Sequence, residues 1–175
     1  MIDYSKIARA VEFYRDRGFQ YVEVPWVVHK EIIDITKPTD AKYFNTFIGS
    51  LVGSGEQSFL SMRKKLSGKY VCVTPCFRDE KSVDELHRNY FMKVELIDTD
   101  PDDLDKAYWD MINISKEFFE LYDFVDIINT EEGKDIYING LEVGSYGIRS
   151  YKDFYWVYGT GCAEPRLSQA LSFIK

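Results

Sequence analysis

The amino-acid sequence predicts an α+β domain, an antiparallel β-sheet flanked by helices, and three observations carry that prediction. Short apolar runs bounded by turn residues outnumber helical stretches, of which only three or four are visible. Aromatic residues make up 16% of the chain, with 13 Tyr and 12 Phe, and large flat side chains favour a pleated, half-buried surface. No Gly-x-Gly-x-x-Gly or Walker loop follows an early strand, which speaks against a doubly wound sheet. A bound nucleotide would therefore be held by arginines and not by a glycine cradle.

Each element follows in order. Residues 4–17 put Ile7, Val11 and Tyr14, with Ala8 and Phe13, on one helical face, and Gly18 supplies the stop. Residues 21–24 alternate as a strand that ends at Pro25. Residues 26–35 read as a strand or a helix, interrupted at Pro38. The stretch 42–55 suggests strands with a turn at Gly53-Ser54-Gly55. Residues 59–66 look helical, 69–77 form a Val-rich strand, 79–89 a loop carrying both charge signs, and 90–97 another strand. An acidic loop with Pro101 leads into a helix at 104–122. Short strands follow at 125–129, 135–138, 141–144 and 154–159, and a helix at 164–174 closes the chain. No repeat, linker or low-complexity segment interrupts it, so residues 1–175 are expected to form a single domain.

Composition narrows the function. The 175 residues carry 22 Lys+Arg against 29 Asp+Glu, a net charge of −7, with 45% hydrophobic residues. That is an ordinary globular composition with enough apolar mass for a sizeable core. A pI near 4.9 argues against a free-standing nucleic-acid wrapper, because neutralising phosphates requires clustered Lys and Arg. No run approaches 18 apolar residues and the amphipathic start is unlike a signal peptide, so no membrane partner is expected. Cys72, Cys76 and Cys162 form no Cys-x-x-Cys pair, which points to a reducing, cytoplasmic setting. His29 and His87 are the only histidines, a poor basis for a transition-metal site.

Three segments concentrate chemistry-bearing residues. The first is Arg17-Gly18-Phe19, then Val22 and Pro25. The second is Cys76-Phe77-Arg78-Asp79-Glu80, a polar loop, then His87-Arg88-Asn89-Tyr90-Phe91-Met92-Lys93-Val94-Glu95. An arginine closing an apolar strand beside a loop with His and Arg suits an anion. The third runs from Gly159-Thr160-Gly161 through Cys162-Ala163-Glu164-Pro165 to Arg166. Its small side chains would let a ligand or another backbone approach closely.

Taken in order, these segments resemble motifs 1, 2 and 3 of class II aminoacyl-tRNA synthetases, with Phe77-Arg78-x-Glu80, His87, Phe91 and Glu95 filling motif 2. Ala163 replaces a motif 3 glycine, and Pro165 stands where an acid usually precedes Arg166. A fourth segment, Asp135 through Asn139-Gly140, Glu142 and Ser145-Tyr146-Gly147 to Arg149, resembles the aspartyl/asparaginyl enzymes; Lys93-Val94-Glu95 looks more seryl-like. The resemblance covers nearly the whole chain. It implies a class II synthetase-like (biotin ligase-like) catalytic domain that activates an amino acid or similar small carboxylate as its adenylate, using ATP and Mg²⁺.

Carried over residue by residue, the resemblance makes Arg78 the ligand of the α-phosphate and the substrate carboxylate. Glu80 would read the adenine amino group, Phe91 would stack on one face of the ring, and Arg166 would cover the other and reach the γ-phosphate, with His87 or Arg88 assisting. Asp135 and Glu142 would hold Mg²⁺. Glu56 would meet the substrate ammonium, Gln57 its carboxylate, and Arg149 a side-chain carboxylate or amide. Gly18, Val22, Pro25 and Trp26 would lie at a two-fold interface, so a homodimer is expected. With net charge −7 and no basic extension, tRNA binding by this chain alone is not expected. The acceptor is left open among ammonia, a carrier protein, a protein side chain and RNA. A non-catalytic accessory subunit and a minimal true tRNA synthetase remain the alternatives.

Overall fold

The computed structural model describes residues 1–38, 42–79 and 88–172. Helix α1 (Tyr4–Arg15) is followed by strands β1 (Gln20–Tyr21) and β2 (Val27–Val28), helix α2 (Lys30–Thr36), strands β3 (Asn45–Thr46) and β4 (Gly49–Leu51), and helix α3 (Gly55–Met62). Then come the long strands β5 (Gly68–Phe77) and β6 (Tyr90–Thr99), helix α4 (Leu104–Phe119), strands β7 (Asp126–Asn129), β8 (Lys134–Ile138), β9 (Leu141–Tyr151) and β10 (Phe154–Glu164), and helix α5 (Arg166–Ser172).

Seven strands form the main sheet in the order β1-β5-β6-β10-β9-β8-β7. All neighbours run antiparallel except β1, which lies parallel to β5 at one edge. The α+β architecture expected from the sequence is therefore present, with a parallel strand added at the edge. A small sheet, β2-β4-β3, packs beside it. Among the described residues no helix is long and apolar enough to cross a membrane.

Alternation along the strands divides the main sheet into two faces. One face carries Val71, Val94, Leu96, Val157 and Cys162, and α1 and α4 cover it with Ile7, Ala10, Tyr14, Met111, Ile112, Phe118 and Phe119. The buried residues of α1 recur at three- and four-residue intervals, as a helix facing a core requires. Asp3 caps α1 and Asp103 caps α4 through side-chain bonds to backbone N–H groups. The other face carries Cys72, Ile97, Trp156 and Tyr158, against which α3 sets Phe59 and Leu60.

Strands β9 and β10 run on to Tyr151 and Glu164, past the ends expected at 144 and 159, and two earlier elements also differ from the sequence expectation. The strand expected at 21–24 is shorter: Val22 still donates its N–H to Val71 O at 3.0 Å, and the regular pairing ends there, before Pro25. The helix expected at 59–66 starts at Gly55 instead, because Ser54 Oγ accepts the Glu56 N–H at 3.1 Å. Gln57 then reaches back to Gly53 N–H at 2.8 Å. Ser54-Gly55-Glu56-Gln57 is thus a variant of the Ser-x-x-Gln capping pattern, a signal present in the sequence.

Candidate active site

The strand face opposite α1 and α4 gathers most of the candidate residues. On β5 and β6 the register pairs Cys76 with Phe91, Thr74 with Lys93 and Cys72 with Glu95. Phe91, Lys93 and Glu95 therefore share one face, and Arg78 follows Phe77 at the end of β5. The Arg78 guanidinium lies over the Phe91 ring, 4.9 Å from its centroid, which fixes both groups against each other.

Two bulges complete this face. In β10 the register shifts between Thr160 and Cys162, so Thr160 and Ala163 point the same way although three residues apart. In β9 a second shift sets Glu142 opposite Tyr137 and Ser145 opposite Asp135. Asp135 and Glu142 consequently share the site face. Burial, followed by the charge of Asp135, raises the Glu142 carboxyl above its ordinary value.

Phe91, Lys93, Glu142, Thr160 and Ala163 of this face wall a solvent-open cavity, together with Arg78, Arg88, Arg166 and others. Four cationic side chains against one carboxylate give it a lining whose charge suits an anion. Lys93 was absent from the sequence-derived site; the alternation Phe91, Lys93, Glu95 is the signal that could have found it. Its ammonium bonds Glu95 at 3.2 Å. Glu95 in turn accepts from Ser54 Oγ at 3.0 Å and Gly55 N–H at 3.1 Å, tying α3 to β6. Glu80 and His87 lie outside the described residues.

The expected amino-acid pocket is arranged differently. Glu56, Gln57, Arg149 and Asp135 are not part of the cavity lining. Glu56 is buried, accepting from Arg149 Nη1 at 2.6 Å and from Trp156 Nε1 at 2.7 Å. Burial pushes its carboxyl up to about 7 against the opposing pull of Arg149 and Trp156. The other side of the Arg149 fork donates to Glu132 at 2.6 Å, and its plane lies 4.3 Å from the Tyr158 ring centroid. Glu56 and Arg149, expected to hold different parts of a substrate, hold each other. Gln57 is buried and bonded to Gly53 N–H, so it serves the loop and not the cavity.

The glycines of the third segment also have a different part from the one expected. A Cβ at Gly159 would meet Tyr146 at 2.5 Å, and one at Gly161 would meet Tyr14 at 2.7 Å. Both open the sheet on the core side, where the Tyr14 hydroxyl donates to Gly161 O at 3.0 Å and that of Tyr146 to Thr160 O at 2.7 Å. They make room for rings and not for a ligand. Pro165 immediately precedes α5, and Arg166 is the first residue of the helix and half-buried at the cavity rim.

Of the expected interface residues, Gly18 turns the chain after α1 with φ +90°. Val22 packs partly into the molecule's own second core cluster, whereas Pro25 is exposed and Trp26 is 53% exposed.

No protein-family model and no curated protein matches the sequence. Solved structures do match in shape. Seryl-tRNA synthetase from Pyrococcus horikoshii, solved with ATP, superposes with a TM-score of 0.77 at 19% identity, covering 95% of this chain and 48% of the other. Pyrrolysyl-tRNA synthetase from Desulfitobacterium hafniense gives 0.71 at 14% identity, covering 96% of this chain and 67% of the other. A second structure of that enzyme, PylSc, gives 0.77 at 13% identity, with 96% and 68% covered. The chain has the fold of a class II synthetase catalytic domain. It spans about half the length of the seryl enzyme. At these identities the likeness speaks for the synthetase fold, while the aspartyl/asparaginyl character of residues 135–149 rests on the sequence motif alone.

Proposed function

We propose that this chain activates an amino acid or similar small carboxylate as its adenylate, using ATP. The observation that carries this reading is the convergence of Arg78, Phe91, Glu142 and Arg166, from four separate segments, on one cavity of a class II synthetase fold. In the reaction a carboxylate oxygen attacks the α-phosphorus of ATP, the bond to the bridging oxygen breaks, and pyrophosphate departs with the electron pair. The protein has two anions to bring together and charge to stabilise between them. Arg78 is the residue for that task, since its planar fork can engage phosphate and carboxylate at once. Phe91 would stack on adenine, and Arg166 with Arg88 would meet the outer phosphates.

Asp135 and Glu142 supply two hard oxygen ligands on one face, which fits Mg²⁺ held jointly by protein and phosphates. Mg²⁺ is usually bound through one or two carboxylates and keeps several waters. Among the described residues no group of three or more metal-binding side chains is present, so a metal cage built from protein alone does not fit. Mg²⁺ would neutralise phosphate charge there.

Pyrophosphate–ATP exchange, screened over the proteinogenic amino acids with saturating Mg²⁺ and ATP, tests the reading. Exchange stimulated by one class of amino acid is expected. Calorimetric ATP binding with no exchange for any carboxylate would favour a non-catalytic accessory protein, the alternative that Ala163 and Pro165 favour. Charging of total tRNA by the isolated chain would instead establish a minimal synthetase.

A further inference from the structure

Glu164 is fully buried at the end of β10, and the adenylation reading gives it no task. Alternation turns Ala163 to the cavity and Glu164 to the opposite side. There its Oε2 accepts the Asp3 N–H at 3.2 Å and its Oε1 the Ser168 N–H at 3.1 Å. The Ser168 hydroxyl donates into the same carboxylate, 3.0 Å and 2.8 Å from its two oxygens. Lys6 Nζ donates to Ser168 Oγ at 3.0 Å and to Asp3 Oδ2 at 2.6 Å. The hydroxyl thus has a proton for Glu164 and a lone pair for Lys6, and it relays the cation to a carboxylate it does not touch directly.

A buried carboxylate is costly to desolvate, and an apolar side chain would fill the same space more cheaply. What the ionic group adds is direction. It bolts the first turn of α1 to the first turn of α5 in one arrangement, and the residue between its two anchor points is Arg166, two positions from both Glu164 and Ser168. Burial pulls the Lys6 ammonium down, but Asp3 and Glu164 outweigh it and raise the group above its ordinary value, so Lys6 stays a cation within the brace.

The geometry points to Glu164, Ser168 and Lys6 as positioning residues for Arg166, with the N-terminal turn of α1 as the brace that aims this arginine at the phosphates of a bound nucleotide. The inference rests on the nucleotide reading of the cavity and adds to it a long-range determinant of phosphate affinity.

The test uses the full chain and two probes, ATP and AMP, titrated by calorimetry, with thermal melts to establish that each variant folds. In Ser168→Ala and Lys6→Met, ATP affinity should fall about tenfold, the usual weight of one hydrogen bond to a charged group, while AMP affinity stays within about twofold. Ser168→Thr, which keeps the hydroxyl, should bind ATP like the parent. Arg166→Ala, which also removes the group expected over adenine, should weaken ATP at least as much, and adding Ser168→Ala to it should cost nothing more. ATP affinity unchanged in folded Ser168→Ala and Lys6→Met, or ATP and AMP weakened equally, would overturn the positioning role. A parent chain that binds no ATP would overturn the nucleotide reading beneath it, a result distinguishable from the first.

Discussion

Arg78 follows β5 with its guanidinium against Phe91, an exposed cation at the cavity mouth with its charge set over the ring. Replacing it with alanine should lower pyrophosphate exchange by at least about a hundredfold, as the loss of a preorganised charge-stabilising donor does. Arg78→Lys should be nearly as poor, because an ammonium cannot bridge two anions with a planar fork. Melting temperatures near the parent's would locate both losses in chemistry and not in folding. Glu56 has a different signature. In the unfolded chain it ionises near 4.5, whereas in the folded protein burial moves its carboxyl to about 7. Stability from this group is therefore present below about pH 4.5, falls as pH rises towards about 7, and changes no further above. The displacement corresponds to roughly 3 kcal/mol. Urea denaturation at pH 5 and pH 8 should show the parent losing stability relative to Glu56→Gln; parallel curves would reject the assignment.

At the scale of elements, the site depends on how closely α3 approaches β5 and β6. A Cβ at Gly55 would meet Glu95 Cγ at 2.7 Å and Thr74 Cγ2 at 2.9 Å, so only a glycine lets the helix start there. Gly55→Ala should destabilise by about 1–3 kcal/mol through overpacking. The melting temperature would then fall by roughly 2–12 °C for a domain of this size. The same change pushes on Glu95, which anchors both Lys93 and the Ser54 loop, so exchange activity should fall with stability. A melt identical to the parent's would show that the junction is looser than its contacts indicate. The start of α3 was legible in the Ser54-x-x-Gln57 pattern. Its approach to Glu95 was not, because residues 40 apart meet there through sheet packing and no local period records it.

For the whole molecule, the sheet leaves β1 at an edge, with Tyr21 46% and Trp26 53% exposed beside it. Phe47 and Ile48, at the tip of the small β3–β4 hairpin, are also exposed. Exposed aromatic anchors of this kind suit a self-complementary patch on two copies. Light scattering should return about twice 20.5 kDa at micromolar concentration, and Trp26→Glu should halve it. A mass near 20.5 kDa for the parent would remove the dimer. Part of the apolar strand surface that suggested this interface is already covered within the chain, since Val22 and Val24 pack into the second core cluster. The exposed contribution is thus narrower than alternation along 21–26 implies.

The sequence by itself determined the local periods, and with them much of the fold. The spacing of Ile7, Val11 and Tyr14 specified a helix face, to which the folded chain adds Ala10 while leaving the expected Ala8 exposed, and a two-residue alternation sets Phe91, Lys93 and Glu95 on one side. The order of the motif-like segments pointed to a synthetase fold. The tertiary structure alone decided phase and partnership. Bulges in β9 and β10 break strict alternation, bringing Glu142 to the face of Asp135 and Ala163 to that of Thr160. Glu56 meets Arg149 across 93 positions, and Asp3 meets Glu164 across 161. A strand's alternation is a property of its own backbone, but register, bulge position and charge pairing are settled by which surfaces pack together. That choice belongs to the folded chain as a whole.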